Sequence, residues 1–270
     1  MTSTSHPPPS VGYLPTRWDA ALARLRTTGM VRFGCAANRD EVHAVAQTVM
    51  SLRGHPDSGP DGLTELRARE AKSSAPGRAG FTHRELPPHT EGSSVACPPQ
   101  LLMLVCLRPA EQDGHTLLVD GADVFADLAE RAPETLRVLT RRGAAYFGGA
   151  DGHAAPVFDR TNAGRWSVRL RLDDLVRFAP HVSPHLPRLE HTLERNTHVL
   201  DLAAGEGVLL DNTRWLHGRR GFVGERVMLR ALGTCRADTP VSLGFFSSWA
   251  VPTDPPPQIP PEGSSGCRDG

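Results

Sequence analysis

The sequence predicts a mainly β fold with flanking helices, built as a β-sandwich or barrel. Between residues 101 and 232, short apolar segments rich in Leu and Val follow one another closely, each long enough for one strand. Only a few segments show helical spacing, and they do not alternate regularly with the strands. A parallel doubly wound sheet requires that alternation, so the sequence favours short strands packed in layers and covered by helices.

The first predicted element is the helix WDAALARLR, residues 18–26, in which apolar side chains recur at helical spacing. A second helix is expected at residues 40–52, with Asn38 or Asp40 at its N-cap. Two further helices are predicted at residues 122–142 and about 185–198. Strands are predicted at residues 30–34, 101–108, 115–120, 144–148, 166–172, 207–212 and 226–232.

Residues 54–80, between the second helix and the main group of strands, are polar and contain scattered Gly and Pro. They predict a long loop or lid, and long loops in compact domains are often functional. The two ends differ from this body: residues 1–12 predict a loose terminus, and the Pro-, Gly- and Ser-rich residues 251–270 predict a disordered tail. Residues 13–250 contain no repeat and no dividing linker, which predicts a single domain.

The 270-residue chain is electrically balanced, with 30 Lys and Arg against 30 Asp and Glu, and gives no argument for a nucleic-acid or membrane partner. It has no charged-then-apolar N-terminal signal and no apolar run long enough to cross a bilayer. A cytoplasmic, soluble protein is therefore expected. The five cysteines lack a C-x-x-C pair, which is typical of reduced thiols, with Cys106 and Cys235 expected in buried strands.

The segment PPHTEGSS places His89 and Glu91 two residues apart. Residues i and i+2 of a strand point to the same face, so the imidazole and the carboxylate would converge on one ion. Two prolines before the histidine and a glycine after the glutamate predict a strand end that opens into a loop. A third candidate ligand, His217, follows the predicted strand 207–212. Two histidines and one carboxylate leave three positions on an iron open, as in non-haem iron oxygenases.

Each part of this pattern is weak alone. With 12 histidines in the chain, an H-x-E triplet arises easily by chance, and a histidine at a strand end is usually an ordinary polar residue. His83 and His115 lie nearby in sequence as alternative ligands. His191 and Glu194 stand three residues apart on a predicted helix, where such a pair is more typical of a solvated surface.

Together, the motifs resemble the taurine dioxygenase/clavaminate synthase family of iron(II)- and 2-oxoglutarate-dependent oxygenases. The matching segments are PHTEGSS, DGHTLLVDG, LLDNTRWLHGRRGF and ERVMLR, in this order, between about residues 80 and 232. The resemblance implies Fe(II), 2-oxoglutarate and O2 as cofactors and co-substrates, and His89, Glu91 and His217 as the iron ligands. It also implies a double-stranded β-helix, or jelly-roll, core with helices packed on one sheet.

The resemblance further assigns residues to 2-oxoglutarate. Thr116 corresponds to the family's threonine that hydrogen-bonds the 2-oxoglutarate carboxylate, and Arg226 to the arginine that binds its distal carboxylate. Arg230 follows four residues later on the same predicted strand, where it faces the substrate in some relatives. Because the spacing from His217 is shorter than in relatives, either Arg226 or Arg230 holds 2-oxoglutarate. A guanidinium suits this role since its planar fork matches a carboxylate.

The expected reaction is hydroxylation of an unactivated carbon in a small polar molecule, such as an amino acid or its derivative, within natural-product biosynthesis. Glu91 argues against halogenation, since related halogenases have Gly or Ala at that position. Desaturation and ring formation are alternatives with the same cofactors. Candidate substrate-binding residues are Arg230, Asp173, Asp174 and His153, and the two aspartates would either bind a basic group or cap a helix.

Two rival classes of protein use similar residues. A zinc hydrolase also binds its metal through two histidines and a carboxylate, but the chain has no H-E-x-x-H motif. A cupin-like metal- or ligand-binding protein without a redox role would not need Thr116 and the Arg226 and Arg230 pair at this spacing.

Overall fold

Two antiparallel β-sheets packed face to face form the centre of the molecule in the computed structural model, which describes residues 19–34, 36–69, 77–238 and 241–251. The larger sheet consists of β1 (Met30–Phe33), β2 (Met50–Leu52), β3 (Thr64–Leu66), β5 (Leu101–Arg108), β14 (Gly207–Asp211) and β17 (Val227–Cys235). The smaller sheet consists of β4 (Leu86–His89), β7 (Thr116–Asp120), β13 (Thr197–Leu200) and β15 (Trp215–Arg219).

The strand order in the larger sheet is β1-β14-β5-β17-β2, with β3 also paired to β17, and in the smaller sheet it is β13-β7-β15-β4. Three small sheets flank these two and contain β6 (Gln112–Asp113) with β16 (Phe222–Val223), β8 (Ala145–Phe147) with β9 (His153–Ala155) and β12 (Val176–Phe178), and β10 (Phe158–Arg160) with β11 (Trp166–Val168). The helices are α1 (Asp19–Thr28), α2 (Arg39–Val49), α3 (Gly121–Arg131), α4 (Pro133–Leu139) and α5 (Leu186–Arg195).

The sequence of strand β5 is apolar without alternation because both faces of the strand are buried. Leu101, Met103 and Val105 on one face pack into a core with the helices α1 and α2. Leu102 and Leu104 on the other face pack against the smaller sheet. Because both faces are covered, every position from Leu101 to Leu107 is apolar, and each fully buried side chain of this size contributes about 1.5–3 kcal/mol. The two sheets thus form the jelly-roll core that the sequence predicts.

Helices cover both sheets, which corrects the expectation of helices on one sheet. The helices α1 and α2 pack on the outer face of the larger sheet. The helices α3, α4 and α5 bury an aromatic core around Phe125 against Val119 of β7 and Leu216 of β15. The molecule therefore has four layers, helix, sheet, sheet, helix, and the space between the sheets is the interior.

The structure corrects several predicted boundaries. The predicted helix 40–52 ends at Val49, and the chain continues as β2. The predicted helix 122–142 is two helices, because Pro133 cannot donate the backbone hydrogen bond that would continue α3. The predicted strand 166–172 ends at Val168. Strand β15, which contains His217, was not predicted at all.

Asn38 caps α2, since its side chain accepts a hydrogen bond from the Glu41 backbone N–H at 3.0 Å. Cys106 is buried in β5, and Cys235 is half-buried at the end of β17. The predicted loose terminus at residues 1–12 and all of the predicted tail beyond residue 251 lie outside the described residues, as do Cys35 and Cys267. Within the described ranges, no helix is both long and apolar enough to traverse a bilayer.

Candidate metal and cofactor site

Two neighbouring strands of the smaller sheet bring His89 and His217 together. The strands β4 and β15 are antiparallel, and His217 lies directly opposite His89 in the register. Along β15, Leu216 packs outward under the helices, while Trp215 packs between the sheets. The alternation of side chains along a strand therefore points His217 into the interior. The two imidazole rings are 4.3 Å apart between centroids.

A β-bulge beside the histidines requires a glycine. The register between β4 and β15 shifts after His217, so that Arg219 pairs with Leu86 across Pro87 and Pro88. A Cβ on Gly218 would lie 2.6 Å from the Leu86 carbonyl oxygen, closer than real Cβ atoms approach. Strand β15 can lie against β4 only because residue 218 has no side chain.

Glu91 follows the end of β4 and is held through its backbone. Its N–H donates to Asn212 Oδ1 at 2.8 Å, and Asn212 Nδ2 donates to the Glu91 carbonyl at 3.0 Å and to the Pro99 carbonyl at 2.7 Å. Gly92 then turns the chain with a positive φ of 65°, so the loop expected after the glutamate is present. Sequence reasoning missed Asn212, because its contacts join segments about 120 residues apart.

His89, Glu91 and His217 form a compact cluster in which one potential ligand atom of each lies within 4.8 Å of the others. Burial lowers the pKa of His89, and burial together with His89 lowers the pKa of His217 well below its usual value. Burial raises the pKa of Glu91, but Arg230 and the two histidines outweigh this effect and lower it to about 2. At neutral pH the cluster therefore holds two neutral imidazoles and one carboxylate.

This donor set fits a divalent transition metal. Two imidazoles and one carboxylate are the protein ligands of non-haem iron(II) sites. The Nδ1 atom of His89 lies 3.0 Å from the Pro87 carbonyl, which can accept a hydrogen bond from the Nδ1–H group, so that Nε2 keeps a free lone pair. His217 Nε2 lies 3.8 Å from Glu91 Oε2. The residues present thus supply three ligand atoms in the required protonation states.

The predicted cofactor residues lie in the same cavity, whose volume is about 450 Å³. Thr116 and Arg226 line it together with the three candidate ligands. Arg226 lies just before β17, which corrects its expected place within that strand. Its stem packs beside Gly114, where an added Cβ would meet Arg226 Cδ at 3.1 Å.

Arg230 lies on β17 and faces the same cavity. Its Nη1 donates to Glu91 Oε2 at 2.6 Å, while its Nε and Nη2 are buried and have no hydrogen-bond partner in the described part of the chain. Arg230 therefore differs from Arg226 in position, since its guanidinium contacts a candidate metal ligand directly.

The structure separates the predicted substrate-binding residues. Asp173 lines the cavity, but its carboxylate is paired with Arg171, whose Nε donates to it at 2.6 Å. Asp174 is exposed and His153 lies on β9, and neither lines the cavity, which corrects their expected place there. The predicted lid contributes to the cavity wall, because residues 54–57 and 77–80 line the cavity. The lid is not entirely a loop, since β3 lies within residues 54–80.

Further ionisable residues that were not singled out from the sequence line the cavity, and His55, Asp57 and Arg219 are among them. His55 and Asp57 come from the lid, where Asp57 forms an ion pair with Arg78. Arg219 lies on β15, two residues after His217. The i, i+2 spacing in LHGR would have revealed Arg219 had β15 been recognised as a strand.

A family model described as "Taurine catabolism dioxygenase TauD, TfdA family" matches residues 9–232. Among curated proteins, the mitochondrial trimethyllysine dioxygenase of Bos taurus is 27% identical over 169 residues. That alignment covers 56% of this chain and 40% of the bovine protein, so the chain spans less than half the length of this relative.

Two solved structures share the fold at low identity. The non-heme iron oxygenase OrfP in complex with Fe and alpha-ketoglutaric acid aligns with a TM-score of 0.61 and 14% identity, over 83% of this chain and 84% of OrfP. An asparagine oxygenase in complex with Fe(II), 2S,3S-3-hydroxyasparagine and succinate aligns with a TM-score of 0.60 and 15% identity, over 83% and 84% of the two chains. These likenesses confirm the jelly-roll fold.

Proposed function

The chain belongs to the taurine catabolism dioxygenase TauD/TfdA family, and from this premise we propose that it is an iron(II)- and 2-oxoglutarate-dependent oxygenase that hydroxylates a small amino acid or a derivative of one. The observation that carries the proposal is the convergence of His89, Glu91 and His217 in one cavity with Thr116 and two arginines. A metal centre that must also hold a 2-oxo diacid needs both the three metal ligands and the cationic groups that bind the acid. A structural metal site needs no guanidinium beside it.

When bound, iron and 2-oxoglutarate supply the oxidising chemistry, in which one oxygen atom of O2 enters succinate, carbon dioxide leaves, and the other oxygen atom enters the substrate. The protein's own residues position the reactants. His89, Glu91 and His217 would hold the metal. All three line the cavity, which would give the cosubstrate and O2 access to that metal.

Arg226 is the better candidate for the distal carboxylate of 2-oxoglutarate. Its side chain packs beside Gly114, two residues before Thr116, and no carboxylate pairs with it in the described part of the chain. Arg230 is already bonded to Glu91. Its two unpartnered nitrogens are better placed for an anionic group of the substrate close to the metal.

The charges in the cavity argue against an amino acid with a basic side chain. Apart from Glu91, the carboxylates that line the cavity are Asp57 and Asp173, and each already forms an ion pair with an arginine. A basic side chain would therefore have to compete with an arginine that already holds the carboxylate. The asparagine oxygenase structure holds a hydroxylated amino acid whose side chain is not basic. A biosynthetic role and a cytoplasmic location stay predictions from the sequence.

Anaerobic titration with iron(II) and then 2-oxoglutarate tests the cofactors. We expect the weak visible charge-transfer band of a 2-oxo acid chelated to iron(II), and we expect no band with His217→Ala. Folded, iron-loaded protein that shows no band on adding 2-oxoglutarate would overturn the assignment. Product mass with candidate amino acids then identifies the reaction, since hydroxylation adds one oxygen atom whereas desaturation or ring formation removes two hydrogens.

A further inference from the structure

Arg219 is a buried arginine that lines the same cavity as the three candidate metal ligands. It lies on β15 with 4% of its surface exposed and shares the inward face of that strand with His217. In the register of the smaller sheet it is directly opposite Thr116 on β7. Directly opposite side chains of an antiparallel pair lie on the same face, so Arg219 and Thr116 are neighbours.

One side of the Arg219 guanidinium is occupied by the protein. Its Nη2 donates to the backbone carbonyls of Arg84 at 2.8 Å, Thr82 at 2.9 Å and Ala79 at 3.3 Å. These carbonyls belong to the chain that leads into β4 and His89. The guanidinium also stacks on Phe222, 4.6 Å from the ring centroid. Arg219 therefore has a fixed position.

The other side of the guanidinium has no partner. Arg219 Nη1 is buried and makes no hydrogen bond to any described residue. Arg226 is its charged neighbour, since both guanidinium groups lie over the Phe222 ring and both residues line the cavity. Among the described residues, neither arginine forms an ion pair. A buried cation without a counter-ion is unfavourable, and two side by side more so, which points to an anion between them.

We propose that Arg219 is a second cosubstrate-binding arginine, whose Nη1 shares the distal carboxylate of 2-oxoglutarate with Arg226 and Thr116. Through Nη2 it also fixes the wall formed by residues 79–84. This inference rests on the proposed function, because it concerns the orientation of the same cosubstrate. It makes the site selective for a 2-oxo diacid over a 2-oxo monoacid.

The test is anaerobic calorimetric binding to the iron(II)-loaded protein with two ligands. The first is 2-oxoglutarate, and the second is 2-oxopentanoate, which has the same chelating end and chain length but a methyl group in place of the distal carboxylate. For Arg219→Met we expect the affinity for 2-oxoglutarate to fall by about tenfold or more, with the affinity for 2-oxopentanoate little changed. If Arg219 had only a structural role, its substitution would reduce the affinities for both ligands equally.

Arg169 provides a matched control. Its guanidinium also binds three backbone carbonyls, of Ser93, Val95 and Ala96, but it does not line the cavity. Arg169→Lys should leave the ratio of the two affinities unchanged, whereas Arg219→Lys should reduce it, since one ammonium cannot replace the fork. The lysine variant carries the test if Arg219→Met does not fold.

The outcomes separate the inference from the function on which it rests. An unchanged affinity ratio in a folded Arg219 variant would overturn the role of Arg219 and leave the cofactor assignment standing. Failure of the wild-type iron-loaded protein to bind 2-oxoglutarate would overturn the proposed function itself.

Discussion

The candidate metal ligand Glu91 is surrounded by groups that keep it ionised although it is buried. Arg230 donates to it at 2.6 Å, and His217 Nε2 lies 3.8 Å away. Burial alone would favour the protonated form, which is a poor metal ligand because a carboxyl group binds a metal in its deprotonated form. The nearby guanidinium reverses that preference. Arg230 thus lowers the pKa of Glu91 and has two further buried nitrogens without a partner among the described residues.

Asn212 controls the position of Glu91, and Asn212→Ala tests this. The substitution leaves the buried N–H and carbonyl of Glu91 without their partners, which costs about 1–3 kcal/mol for each unsatisfied group. We expect a lower free energy of unfolding in denaturant and a metal affinity reduced by about 10- to 100-fold, as for other residues that orient metal ligands. Metal affinity equal to the wild type, measured on the folded variant, would contradict this role.

The two buried histidines predict a pH dependence of stability in metal-free protein. Burial lowers the pKa of both in the folded state, so the unfolded chain binds protons that the folded chain does not. Stability is therefore retained above the unfolded value of about 6.5 and falls as the pH drops below it, by up to about 1.4 kcal/mol per pH unit for each histidine.

Urea unfolding between pH 8 and 5 measures this slope. His217→Gln should flatten it, while the exposed His198→Gln should leave it unchanged. The same slope in wild type and His217→Gln would show that His217 does not contribute.

At the scale of the elements, the contact between β4 and β15 depends on the bulge at Gly218. For Gly218→Ala we expect a loss of about 1–3 kcal/mol in the free energy of unfolding, because the added Cβ meets the Leu86 carbonyl at 2.6 Å. Separation of the two strands also moves His89 from His217, so metal affinity should fall with stability. Gly149→Ala is the control, since a Cβ there meets nothing within 4 Å. Equal stability of the two variants would mean that β4 shifts freely.

The elements that the sequence predicts well are those whose pattern is set by burial on both faces. Strand β5 was predicted over its full length because both of its faces are apolar. Strand β15 was missed because its inward positions include His217 and Arg219, whose polarity reflects the cavity and hides the strand. The pair His89 and Glu91 was found because its spacing is local. Asn212 was not, since its partners are distant in sequence.

At the scale of the whole molecule, the cavity is lined by residues from both sheets. The histidines and Thr116 come from the smaller sheet, while Arg230 comes from β17 of the larger sheet and Arg226 immediately precedes that strand. A metal with 2-oxoglutarate would therefore be held by both sheets at once. Ligand binding should then oppose separation of the two sheets and so stabilise the whole fold against unfolding.

Thermal unfolding with and without ligands tests this coupling. With iron(II) and 2-oxoglutarate each at about 100 times its dissociation constant under nitrogen, each adds about 2.7 kcal/mol of stability, so the Tm should rise by several degrees. A chelator should reverse the shift, and His217→Ala should show little of it. An unchanged Tm in the wild type at saturating ligand would mean that the ligands bind the unfolded chain equally well or do not bind.

The apolar run of β5 also has a consequence before the molecule is folded. The segment LLMLVC is rich in strand-forming residues and carries no charge, which are the features of segments that pair with other copies of themselves. In the nascent chain its partners β14 and β17 have not yet been synthesised, because they lie about 100 residues later. Pro98 and Pro99 precede the run, and Arg108 and Pro109 follow it. Prolines and charges at such borders hinder aggregation, so these flanking residues protect the solubility of the chain until the two later strands cover β5.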